Sequence, residues 1–81
     1  MPEMRRVFSS QIEQIGYDPT RQELVVQWKA RKLEPQGQTS VYGNVNPDKA
    51  RQIMNAESVG KALHEMVKSQ PQQHPHRYSN G

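Results

Sequence analysis

The chain has 81 residues, with 11 Lys+Arg against 8 Asp+Glu for a net charge of +3. Its 32% hydrophobic content supports one small core and no deep cleft, which argues for a single domain and against a buried catalytic cavity. Cysteine is absent, excluding disulfides and Cys-ligated zinc, and no apolar run reaches the roughly 20 residues that span a bilayer. The start of the chain has no signal-peptide apolar region, so a soluble cytoplasmic protein without membrane contact is expected.

Residues 1–6 read as a flexible arm carrying Arg5 and Arg6. Ile12, Ile15 and Tyr17 follow among polar residues, the last two alternating about Gly16 as in a half-buried strand. Asp18–Pro19 then predicts a turn, because Pro presets φ and the Asp side chain can accept from the backbone ahead. Glu23–Ala30 is the clearest strand. Leu24, Val26 and Trp28 share one face, with Val25, Gln27 and Lys29 on the other. After a polar loop with Pro35 and Gly37, a third strand carries Val41 and Tyr42 before a Gly43–Asn44 turn, where Gly43 is expected to take positive φ.

Asn46–Pro47–Asp48 has the chemistry of a helix start: a capping amide, a proline in the first position and an acid against the positive dipole end. Ala50, Ile53 and Met54 then fall on one helical face. Ser58 caps a second helix, whose Val59, Ala62, Leu63, Met66 and Val67 repeat at the spacing of a buried stripe. From Ser69 onward there is no aliphatic residue and no periodicity, so 69–81 reads as a disordered tail. The expected architecture is α+β over residues 7–68: a three-stranded antiparallel sheet followed by two short helices packed on one face.

Ser9–Ser10 with Ile15–Gly16–Tyr17–Asp18, then Tyr42–Gly43–Asn44–Val45, then Asn55–Ala56 with Ser58 and Gly60, resemble the KTSC domain. That module is named for the C-termini of lysyl-tRNA synthetases and also occurs as short stand-alone bacterial and phage proteins. The resemblance covers about residues 5–65. The family's Tyr-x-Tyr stands here as Ser40–Val41–Tyr42, and its Val-Pro as Val45–Asn46–Pro47. The resemblance implies a small α+β fold without established catalysis, and RNA contact by way of the synthetase context.

The residues themselves carry no catalytic signature. There is no Cys nucleophile, no phosphate loop and no evident His partner for Ser9, Ser10 or Ser58. His64, His74 and His76 lack neighbouring carboxylates or thiolates in a ligand spacing. No enzyme activity, cofactor, metal or small-molecule substrate is therefore expected. Arg5, Arg6, Lys29, Arg31 and Lys32 form the best basic cluster, with Lys61 and Lys68 as weaker additions, and Tyr42 is the aromatic to pair with it. Trp28 is expected in the core, because amphipathic alternation places it there without any ligand. The expected function is a binding module that contacts RNA through this basic and aromatic surface. The alternative is a protein-interaction module that attaches to a larger machine, such as a transcription or translation complex.

Overall fold

The alternation read over Glu23–Trp28 becomes the central strand of an antiparallel meander. A computed structural model describes residues 2–30 and 37–79. The strands are β1 (Met4–Arg6), β2 (Ile12–Asp18), β3 (Glu23–Trp28), β4 (Thr39–Tyr42) and β5 (His76–Ser79), in the order β1-β2-β3-β4-β5. Between β4 and β5 the chain forms α1 (Pro47–Met54) and α2 (Val59–Leu63), and α2 continues into a π-helical turn at His64–Lys68. No helix among the described residues is long and apolar enough to cross a membrane.

The α+β class and the two helices agree with expectation, but the expected three strands are five. The segments read as a flexible arm and a disordered tail supply the two edge strands. β1 pairs Met4, Arg5 and Arg6 with Gly16, Ile15 and Gln14, and β5 pairs His76 to Ser79 with Tyr42 to Thr39. Neither segment has apolar alternation of its own. Each gains its order from a neighbour's open ladder of backbone donors and acceptors, a tertiary supply that sequence periodicity does not register.

The core forms where the helices cover one sheet face. Ile12, Ile15, Leu24, Val26 and Tyr42 meet Val45, Ala50, Ile53, Val59, Leu63 and Val67 there, all buried. Ile12 and Ile15 are three apart, yet both face inward. Glu13 is an extra residue opposite the Gln27–Trp28 step, and this bulge brings the two isoleucines to one side. The helix starts are as the residues imply: Asn46 Oδ1 accepts from the Lys49 amide at 2.8 Å, and Ser58 Oγ from the Lys61 amide at 3.3 Å. Asp18 Oδ1 likewise accepts from the Thr20 and Arg21 amides. Positive φ falls on Asn44 (58°) rather than on Gly43, since asparagine tolerates the left-handed region well enough to turn this corner.

Two tyrosines anchor the sheet. Tyr17 Oη donates to the Val45 carbonyl at 2.6 Å, tying β2 to the approach of α1. Tyr42 is 5% exposed, and burial pushes its hydroxyl's pKa up, partly offset by the Ser40 hydroxyl and reinforced by Tyr78. Burial and the Asp18 carboxylate raise that of Tyr17 as well.

The C-terminal segment is held by a buried imidazole. His74 is 2% exposed, with Nδ1 3.0 Å from the Gly43 carbonyl and Nε2 2.9 Å from Lys49 Nζ. The carbonyl can only accept, so Nδ1 carries the proton and Nε2 accepts from the ammonium. Gly43 N–H also donates to the Pro75 carbonyl, and Asn44 Nδ2 to that of Gln73. On the other sheet face, Arg77 reaches across β4 to pair with Glu23 at 2.8 Å.

These contacts set the expected stability changes. Leu63→Ala should cost about 2–5 kcal/mol, the range for emptying a buried leucine site, read from the denaturation midpoint. His74→Ala should cost about 1–3 kcal/mol by stranding the Lys49 and Gly43 groups, and amide exchange at 76–79 should become unprotected. On the alkaline side, the unfolded tyrosines ionise near their ordinary value of 10.0 while folded Tyr42 and Tyr17 still hold their protons. The unfolded chain then binds fewer protons than the folded one, so stability is fully present below pH 10 and is lost as pH rises through the folded values. A denaturation series across that range should show the fall, and Tyr42→Phe should make it shallower.

Candidate functional site

The sheet registers bring side chains far apart in sequence into rows. Ile15, Val26, Ser40 and Tyr78 form one row on the helix-covered face, and Tyr17, Leu24, Tyr42 and His76 the next. The helices cover the β2–β3 ends of these rows and leave the β5 end open, where His76 is exposed and Tyr78 is 60% exposed. His76 packs between the two tyrosines: its ring centroid is 4.9 Å from Tyr42 and 4.6 Å from Tyr78, edge-on to the latter.

Trp28 sits beside this open end, half-buried against the core. Its Nε1–H donates to Ser40 Oγ at 2.8 Å, which fixes the plane of the indole. The Ser40 hydroxyl thus supplies an acceptor where the half-buried indole N–H needs one. Above the ring stands Lys68 Nζ, 5.1 Å from the centroid. Lys68 is the last residue of the π-helical turn, in which the Ser69 amide bonds back to the His64 carbonyl at 2.9 Å. Such widened turns reset which residue faces inward; here Val67 is buried and Lys68 is delivered over the indole. A cation–π pair of this kind contributes about 0.5–1 kcal/mol where solvent reaches it.

These groups line an open groove of ≈680 Å³ between the β4–β5 edge and the end of the helix. Trp28 and Tyr78 offer rings, Lys29 and Lys68 offer ammonium groups, and no carboxylate lies among its described lining residues. Pro71, His74 and His76 make the wall on the side of the C-terminal segment. The groove therefore exists only because that segment docks. It presents aromatic faces and positive charge.

The expected site residues distribute differently from the sequence reading. Arg5 and Arg6 lie on β1, two strands from β3, where Arg5 donates to the Met54 carbonyl at 2.6 Å and Arg6 pairs with Glu13 at 3.5 Å. The sheet separates them from the groove, because the arm pairs along β2 instead of crossing to the far end of the hairpin. Lys29 does line the groove, while Arg31 and Lys32 lie outside the described residues. Tyr42 reaches the groove only as its buried floor and cannot present a face for stacking. Trp28, expected as core, is half core and half groove. Sequence reasoning missed His76 and Tyr78, whose spacing of two about Arg77 was the available signal for one strand face. Among the described residues no group of three or more His, Cys, Asp or Glu is placed to hold a metal ion.

Comparison with known proteins bears on the fold as a whole. No curated protein matches the chain. The crystal structure of a KTSC domain protein from Yersinia pestis is similar at a TM-score of 0.78 and 26% sequence identity, covering 99% of this chain and 100% of that one. The family model described as KTSC domain matches residues 8–70, from the loop before β2 to the residues just past the π-helical turn. With most of its length matched by that model, the chain belongs to the KTSC domain family.

Proposed function

We propose that this protein is a non-enzymatic binding module that contacts RNA through the groove between the β4–β5 edge and the end of the helix. The observation that carries the reading is Lys68 Nζ poised 5.1 Å over the half-buried Trp28 ring, with exposed Tyr78 lining the same groove. Bases stack on aromatic side chains whatever their sequence, and ammonium groups on the rim meet the phosphates between them. Lys29 and Lys68 supply that charge with no carboxylate among the groove's described lining residues to oppose it. Binding of this kind discriminates little among sequences, since neither stacking nor phosphate contact reads base edges. It suits an accessory role in which a larger machine provides specificity.

Titration of the protein with mixed oligoribonucleotides at several salt concentrations tests the reading. Replacing Lys29 and Lys68 together by alanine should weaken binding across all sequences and flatten the salt slope by roughly one and a half units, somewhat under one per contact. Tyr78→Ala should cost about 1–3 kcal/mol of binding with the salt slope kept, as loss of one stacked base does. Absence of binding by the parent protein at low salt would overturn the reading.

A further inference from the structure

The exposed large hydrophobic side chains among the described residues are Tyr78 and Phe8, the latter fully exposed. Each lies in one of two grooves that join. Tyr78 lines the groove described above; Phe8 lines a second, of ≈770 Å³, whose far wall carries Ser58, Gly60 and Lys61 at the start of α2. Ser10, Gln11, Trp28 and Lys68 line both grooves, so the lysine-capped indole is the saddle between them. The backbone next to Phe8 is held in place. Ser9 Oγ accepts from the amides of Gln11 and Ile12, each at 3.2 Å, and closes a tight turn beneath the exposed ring.

An exposed phenylalanine loses free energy to water with no compensating contact, and here it sits at the mouth of a groove continuous with the aromatic one. We propose that a single-stranded RNA segment occupies both grooves, passing from Tyr78 across Trp28 and Lys68 to Phe8, which stacks on a further base. The proposal rests on the RNA reading of the first groove and adds to it the strandedness, the length of the bound segment and a second stacking ring. Strandedness follows from the rings. Side chains stack on bases whose faces are open, and in a duplex those faces are already stacked on one another. Charge divides the labour between the grooves. The second is lined by Glu57 and Glu65 as well as by Lys61 and the shared Lys68, so it attracts phosphate less than the first and contributes stacking.

The test uses the full chain with oligouridines of about two and about six nucleotides, the longer within the site size of small single-strand-binding domains. The longer oligomer should bind at least about tenfold more tightly than the shorter. Phe8→Ala should weaken the longer by at least about fivefold, the lower end for one lost stack, while leaving the shorter and the salt slope unchanged. Phe8 makes no core contact, so an unchanged melting curve for this variant is expected and confirms that the fold is intact. Wild-type binding of the longer oligomer by Phe8→Ala overturns the two-groove path while leaving RNA contact at the first groove standing. A duplex of similar length binding as tightly as the single strand overturns the strandedness. Failure of every RNA to bind removes the underlying reading together with the proposal.

Discussion

His74 ties together three parts of the chain through one side chain: the end of β4 at Gly43, helix α1 at Lys49, and the C-terminal segment to which it belongs. Burying an imidazole is tolerable only because both ring nitrogens are satisfied, one by a carbonyl and one by an ammonium that also bonds the Met66 carbonyl. That geometry sets the entry point of β5, whose four residues then pair along β4. The groove wall, the exposed rings and the open edge of the sheet are all consequences of this docking.

The sheet's own register converts the docking into a platform. Antiparallel pairing places Tyr78 opposite Ser40 and His76 opposite Tyr42, on the face that the helices cover only in part. A larger residue at position 40 would fill the space into which the Trp28 N–H now points. Serine leaves the indole N–H partnered, with Lys68 Nζ standing over the ring. The two edges also differ in kind. β1 is three residues with two charged side chains, both engaged, and its neighbour Gly16 has no room for a side chain: a Cβ there would lie 2.6 Å from the Glu3 carbonyl oxygen. Short, charged edges of this sort resist further strand pairing.

The elements with internal periodicity were readable from sequence. Leu24, Val26 and Trp28 on one face, the stripe from Val59 to Val67, and the caps at Asn46 and Ser58 all announce themselves through local spacing or local hydrogen bonding, and the structure agrees with them. The edge strands were not readable. Met4–Arg6 and His76–Ser79 have no apolar face, and the contacts that order them are with residues distant in the chain, such as Met54 for Arg5 and Glu23 for Arg77. The site suffered for the same reason. Neighbouring basic residues in sequence suggested a cluster, yet β1 carries Arg5 and Arg6 to one edge of the sheet while Lys68, 39 positions beyond Lys29, comes to share its groove.

The α+β class, the central hairpin and both helix starts were legible in the residue order alone, because each depends on periodicity or on a cap within a few residues, and the family through a resemblance in short motifs. The five-stranded sheet, Tyr42 as floor and not face, and the meeting of Trp28, Tyr78 and Lys68 came only with assembly in three dimensions. Those outcomes turn on which open ladder an unpatterned segment pairs with, and on one buried imidazole satisfied from two distant elements. A pairing energy of that kind belongs to the assembled fold, and no single segment carries it in its own residues.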